Sequence, residues 1–191
     1  MGTADTPKDL TGKLLIAMPG MGDPRFQHTV VFLCAHSNEG AMGLIVNKRV
    51  PEIALDDLLE QLEIAAGDGS RGHAVHFGGP VEGARGFVLH NADAAEYPGT
   101  LRVDDGFAMT APRDILVDIA RGAGPDNTLA ALGYSGWGQG QLESELRQNA
   151  WLTVHADSAI VFDPDDEGKW LRALKSLGID PLLLSADGGT A

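Results

Sequence analysis

Thr29-Val30-Val31-Phe32-Leu33-Cys34-Ala35 is followed, after His36, by Ser37-Asn38-Glu39-Gly40 and then by Ala41-Met42-Gly43-Leu44-Ile45-Val46. β-Branched and aromatic side chains suit a pleated, half-buried surface, so both apolar runs read as strands. The polar quartet between them supplies turn residues. The stretch therefore predicts an antiparallel hairpin with a four-residue loop.

Working outward, Lys13 to Met18 is a further strand, ended by Pro19-Gly20. Leu55, Leu58, Leu59 and Leu62 recur at helical spacing and place an amphipathic helix near residues 54 to 64, broken by Gly67 to Gly72. Ala74 to Phe77 and Gly86 to His90 are strands flanking Gly78-Gly79-Pro80-Val81-Glu82-Gly83. Thr100 to Val103 and Phe107 to Thr110 form a second hairpin across Asp104-Asp105-Gly106. A helix spans Thr110 to Gly122, where Pro112 fits the first turn because its missing N–H has no helical partner to lose. A strand from Asn127 to Tyr134, a loop from Ser135 to Gly140 and a helix from Gln141 to Asn149 come next. Strands at Trp151 to His155 and Ala159 to Phe162 precede a last helix, about Asp165 to Leu177. Its acidic first turn, basic last turn and Gly178 follow the order the helix dipole favours. Hairpins early and strand–helix units late give an α+β class, with a mixed sheet and helices packed on it. One domain over 12–184 is expected, with loose polar ends at 1–11 and 185–191.

The chain has 191 residues, long enough to bury roughly 70% of the surface of its unfolded form without a disulfide or metal staple. Its formal net charge is -13, and the adjacent basic pair is Lys48-Arg49. A body of that sign repels phosphate polyanions, and no basic stripe or arginine-rich arm offsets it, so direct nucleic-acid binding is not expected. The single cysteine, Cys34, excludes an internal disulfide and fits a reducing compartment. No secretory signal and no apolar run of about 20 residues is present, which predicts a cytoplasmic protein without membrane contact.

The glycine-rich strings fail the familiar nucleotide patterns. In Gly20-Met21-Gly22-Asp23-Pro24-Arg25 the third glycine of a dinucleotide fingerprint is replaced by Arg25. Gly136-Trp137-Gly138-Gln139-Gly140 joins a strand to a helix, but no lysine follows in phosphate-loop register. Packing, with Trp137 as a buried plug, competes there with anion contact at a helix start. Gly133-Tyr134-Ser135-Gly136-Trp137 brings its second glycine one residue early for a nucleophile elbow, and His155 and Asp157 follow in the wrong order. His73 and His76, three apart on a strand, point to opposite faces, whereas Cys34 and His36 share one. No zinc spacing appears, and Asp163-Pro164-Asp165-Asp166-Glu167-Gly168 lacks the calcium-loop pattern. No metal or cofactor is expected.

Met18-Pro19-Gly20-Met21-Gly22-Asp23-Pro24-Arg25-Phe26, His36 to Asn47, Gly78-Gly79-Pro80-Val81 and Gly133 to Glu143 together resemble the AlgH/YqgE family of bacterial proteins, over about residues 10 to 180. The resemblance implies a compact α+β fold with a bent mixed sheet and packed helices. It also implies grouping with transcriptional regulators through a suggested role in alginate control, and it brings no catalytic residues with it.

These readings converge on a non-enzymatic protein that binds a protein partner or small ligand and influences transcription indirectly. The candidate ligand-binding residues are Asp23, Arg25, His36, Asn47, Ser135, Trp137, Gln141 and Glu145. Arg25 would grip a carboxylate or phosphate in bidentate fashion, Trp137 would stack on a ring, and Asn47 would fix orientation. The competing reading is a hydrolase using Ser135, which requires a histidine or carboxylate within hydrogen-bond reach of its hydroxyl.

Overall fold

In the computed structural model the described residues are 9–19, 27–93 and 97–180. Among them ten strands form one mixed sheet: β1 Lys13–Ala17, β2 Val30–Ser37, β3 Gly40–Ile45, β4 Arg49–Ala54, β5 Ala74–Phe77, β6 Val81–Asn91, β7 Thr100–Arg102, β8 Phe107–Thr110, β9 Thr128–Trp137 and β10 Trp151–His155. The main path runs β10-β1-β2-β3-β9-β6-β8-β7, with β5 joined to β9 and β4 to β5. Only the β5–β9 pair is parallel among the described strands.

The sheet is curled. Phe32 on β2 and Phe107 on β8 lie four strand steps apart, about 19 Å on a flat sheet at the usual strand spacing. Their ring centroids are 4.8 Å apart. Alternation along the strands then sorts the core. Val30 and Phe32 enter the cluster inside the curl with Leu14, Phe87 and Leu89, whereas Val31 and Leu33 enter one on the opposite face.

Helices close both faces. Helix α5 (Lys169–Ser176) seats Trp170, Ala173 and Leu174 in the inner cluster, and Trp170 Nε1 donates to Ala17 O at 2.8 Å. On the outer face α1 (Leu55–Gln61) and α2 (Pro112–Ala120) pack over Val75, Val88 and Ala130. Helix α3 (Gln141–Arg147) covers Leu15, Val31 and Leu33 through Leu142.

The structure corrects several sequence expectations. Ser37 pairs with Gly40, so the first hairpin turns on two residues, Asn38 and Glu39, not four; the Ser37 hydroxyl accepts from Glu39 N at 3.1 Å. The expected strand at Ala159 to Phe162 is a short helix, α4 (Ser158–Val161), because Asp157 caps it, accepting from Ala159 N at 2.9 Å. A four-residue apolar run does not by itself distinguish a strand from a buried helical turn. Strand β4 escaped notice because Pro51 interrupts it. Its pairing with β5 is irregular between Arg49 and Ala54, where a proline is tolerated. The last helix opens with a 3-10 turn, Asp166–Gly168, before α5 begins.

Candidate functional site

The glycine strings meet where β9 changes partners. Its Ala130 to Leu132 segment pairs with β5, and its Ser135 to Trp137 segment pairs with β3. Between them Gly133 takes φ +75, and the Gly78-Gly79 link crosses directly over it. A Cβ on Gly79 would fall inside the Tyr134 carbonyl, and one on Gly133 would strike Gly79 O. Gly78 O accepts from Ile45 N at 2.9 Å and from the Ser135 hydroxyl at 3.2 Å, while Gly78 N donates to Leu132 O at 2.8 Å. These glycines permit backbone to touch backbone at a three-way junction.

That junction fixes the role of Ser135. It lies within β9, not in a loop, because the strand continues through Gly136 to Trp137. The residue is 1% exposed, and its hydroxyl is committed to the Gly78 carbonyl, with no imidazole or carboxylate bonded to it among the described residues.

Beyond Trp137 the chain enters α3, which organises the next group. Glu145 Oε1 accepts from Trp137 Nε1 at 3.0 Å and from Trp151 Nε1 at 2.8 Å. Its other oxygen accepts from Gln141 Nε2 at 3.0 Å, and Gln141 Oε1 caps Gly138 N at 3.0 Å. One helical turn separates Gln141 from Glu145, which puts both on one helix face. Two turns of α3 thus anchor the end of β9.

His36 lies in the same cross-strand row as Trp137: His36 pairs with Ala41, and Ala41 with Trp137. Its Nδ1 accepts from Leu10 N at 3.0 Å, so the ring proton is on Nε2, which donates to Glu143 at 2.9 Å. Burial alone would raise the Glu143 carboxyl, but the hydrogen bond from His36, a backbone hydrogen bond and the nearby Arg147 together outweigh it and hold the group below its usual value. Cys34 does not share the face of His36. A bulge between Leu33 and Ala35 breaks the alternation, and Cys34 Sγ packs 3.6 Å from Met109 Sδ inside the curl. Burial pushes the Cys34 thiol up to about 12, which makes it unreactive.

His36 and Trp137 border an open cleft of about 870 Å3 between the first hairpin and the β6-β8-β7 edge. Met42, Phe87, Met109 and Tyr134 supply its apolar wall, and Leu101, 46% exposed, forms part of its rim. Arg85 also lines it, with Cζ 5.1 Å from the centroid of the Phe87 ring. Phe87 and Tyr134 meet edge to face, 6.1 Å between centroids.

Of the sequence candidates, Trp137, Gln141 and Glu145 form one network, and His36 reaches the same helix through Glu143; of these four, His36 and Trp137 line the cleft. Asn47 is elsewhere. Its Oδ1 accepts from Val30 N at 3.0 Å and its Nδ2 donates to His28 O at 2.8 Å, so it fastens the start of β2. Asp23 and Arg25 lie outside the described residues.

Sequence reasoning missed a second group altogether. Asp166, in the 3-10 turn, receives His76 Nε2 at 2.9 Å and Arg49 Nε on Oδ2, and Lys169 Nζ at 2.7 Å from Oδ1. Lys169, 1% exposed, also donates to Val46 O at 2.7 Å. Burial alone would raise the Asp166 carboxyl, but His76, Lys169 and Arg49 together hold it far below the usual carboxylate range. Burial pushes the Lys169 ammonium down, and Asp166 partly restores it. The expected opposition of His73 and His76 also fails: β5 begins after His73, and both line one cavity. Among the described residues no three His, Cys, Asp or Glu side chains are placed to hold a metal ion, and no helix is long and apolar enough to cross a membrane.

A single α+β domain whose curled mixed sheet is pinned at a glycine junction beside an apolar cleft defines the structural class. Within that class the chain belongs to the AlgH-like family, whose model matches residues 14–182. It is 56% identical over 189 residues to a UPF0301 protein of Paracoccus denitrificans, covering 98% of this chain and 100% of that one. It is 60% identical over 184 residues to the UPF0301 protein SPO0296 of Ruegeria pomeroyi, covering 96% and 100%. The solution structure of the AlgH protein from Pseudomonas aeruginosa matches with a TM-score of 0.78 at 43% identity, over 95% of each chain. The crystal structure of protein DIP2367 from Corynebacterium diphtheriae matches at 0.76 and 19% identity, over 95% of this chain and 94% of that one, a likeness of fold alone.

Proposed function

We propose that this protein is a binding protein, not a catalyst, and that its cleft holds a small aromatic or aliphatic anion. The observation that carries the reading is the apolar wall of Met42, Phe87, Met109 and Tyr134 with one arginine set beside it. An apolar surface with Arg85 as its one Lys or Arg cation, the Glu39 carboxylate also being on the lining, favours a ligand with an apolar body and an acidic head. Arg85 is free to turn toward such a head, because its Glu82 contact is a 3.4 Å pair between two exposed side chains. Against catalysis stand the commitment of Ser135 to a carbonyl and of both His36 nitrogens to partners. Any influence on transcription is then exerted through the occupied cleft and a protein that reads it, since a chain of net charge -13 is poorly suited to DNA.

The test uses 8-anilinonaphthalene-1-sulfonate, an aromatic anion whose fluorescence rises on transfer from water. Saturable one-site binding is expected, weakened about tenfold by Arg85→Glu and by Leu101→Asp. Absence of saturable binding, or binding that neither substitution changes, would overturn the assignment.

A further inference from the structure

Two charges of opposite sign stand on opposite banks of the cleft. On one bank the run 82–85 of β6 is opposed by Gly133 alone, because Val81 pairs with Tyr134 and Gly86 with Leu132. Arg85 ends that run, so it stands level with Gly133, and its guanidinium rests over the Phe87 ring. On the other bank Glu39 occupies the turn between β2 and β3, just before Ala41, which pairs with Trp137. Both residues line the cleft. Glu39 is exposed, and its carboxylate makes no hydrogen bond or ion pair among the described residues.

We infer that the ligand of the cleft is a short apolar peptide with both ends free, its C-terminal carboxylate on Arg85 and its N-terminal ammonium toward Glu39. This rests on the reading of the cleft as a site for a ligand with an apolar body and an acidic head, and it names that ligand. The first reason is the sign of the two banks. A ligand with an acidic head alone leaves the Glu39 carboxylate facing the same groove, where like charges repel. The net charge of -13 adds to that repulsion. An ammonium at the far end turns the penalty into a second contact.

The second reason is spacing. From Gly133 to Trp137 the strand β9 advances about 14 Å at the usual rise per residue. A free amino acid carries its ammonium and carboxylate on one carbon and cannot bridge such a gap. An extended chain spans at most about 3.5 Å per residue, so three or four residues match it. The side chains of Glu39 and Arg85 reach inward and shorten the gap, which favours the smaller number.

The wall between the charges suits the rest of a peptide. Met42, Phe87, Met109 and Tyr134 offer apolar contact to its side chains. Strand β7 ends the strand path, and its Leu101 lines the cleft. The edge of β7 away from β8 therefore has no strand beside it among the described residues. An extended peptide can hydrogen-bond to such an edge, which a compact aromatic anion cannot do.

The experiment is isothermal titration calorimetry of the whole chain with alanyl-leucyl-phenylalanine, its N-acetyl form, its C-terminal amide and free phenylalanine. Saturable one-site binding of the unblocked tripeptide is expected, together with displacement of 8-anilinonaphthalene-1-sulfonate. Blocking either end should weaken binding about tenfold, and phenylalanine should bind more weakly still. Glu39→Gln should erase the difference between the free and acetylated peptides, and Arg85→Gln the difference between the free and amidated ones. Both side chains are exposed, so neither substitution threatens the fold. If the sulfonate saturates the cleft but the tripeptide neither binds nor displaces it, the cleft remains a ligand site and the peptide assignment falls. If neither binds, both fall. Equal affinities of free and acetylated tripeptide, or of tripeptide and phenylalanine, would also defeat the assignment.

Discussion

The indoles of Trp137 and Trp151 share one oxygen. Both Nε1 groups donate to Glu145 Oε1, at 3.0 and 2.8 Å, and the rings meet edge to face with centroids 6.0 Å apart. Trp137 ends β9 and Trp151 opens β10, so one carboxylate on α3 ties two strands that are not neighbours in the sheet.

Glu145→Ala removes that shared acceptor from two buried donors. A loss of about 3 kcal/mol is expected from urea unfolding, because each buried donor stripped of its acceptor costs about 1–3 kcal/mol. Glu145→Gln keeps an acceptor oxygen and should cost less than half as much. Equal stability of the alanine and wild-type proteins would contradict the arrangement.

The crossing of Gly79 over Tyr134 makes a second, steeper prediction. Gly79→Ala and Gly133→Ala each force a Cβ into a backbone atom at a positive φ. Each should cost about 4 kcal/mol or more, at the upper end for single substitutions, and yield protein without cooperative unfolding by circular dichroism. Gly140→Ala, where φ is +73 but nothing lies within 4 Å, should cost only about 1 kcal/mol.

Asn47 stands in for a strand neighbour, offering one amide to Val30 N and His28 O. Asn47→Ala should therefore destabilise the fold by about 1–3 kcal/mol while leaving anilinonaphthalene sulfonate affinity in the cleft unchanged. A drop in affinity without a drop in stability would return Asn47 to the binding site.

The depressed Asp166 carboxyl gives a pH signature. A carboxyl whose folded value lies below its unfolded value contributes stability that is present above the unfolded value and lost as pH falls toward the folded one. The ordinary value is 3.8, so this contribution should hold at neutral pH and decline from about pH 4 downward. Asp166→Asn should lower stability by about 3 kcal/mol at pH 7 by leaving Lys169 buried beside a neutral group, and flatten the acid limb of a thermal-unfolding profile. An acid limb as steep in Asp166→Asn as in wild type would rule this carboxyl out as its source.

What the sequence revealed follows the range of each interaction. Both hairpins, α2 and β10 were legible because their signals are local: alternation, turn residues, a proline in a first turn. That Gln141, Glu145 and Trp137 lie together was legible for the same reason, as neighbours along one helix start; the ligand contact expected of them is a separate matter that their mutual hydrogen bonds do not address. The Arg49–His76–Asp166–Lys169 group was not, since Arg49 and Asp166 are 117 residues apart and each alone reads as a surface charge. Ser135 misled because glycines beside a strand suggest a loop, whereas here they admit a crossing chain. Asn47 misled because nothing nearby shows that its amide serves two backbone groups.

The contact between Phe32 and Phe107 has a consequence in time. The rings touch across four strand steps and 75 residues, so the contact closes only after β3, β9, β6 and β8 have been laid side by side. Closure of the curl should be a late step, after the main folding barrier, because widely separated partners meet only once the intervening loops are closed. Phe107→Leu should then accelerate unfolding several-fold in stopped-flow experiments and barely slow refolding. A refolding rate reduced in proportion to the lost stability would instead place the seam in the nucleus, with the strands assembling around it.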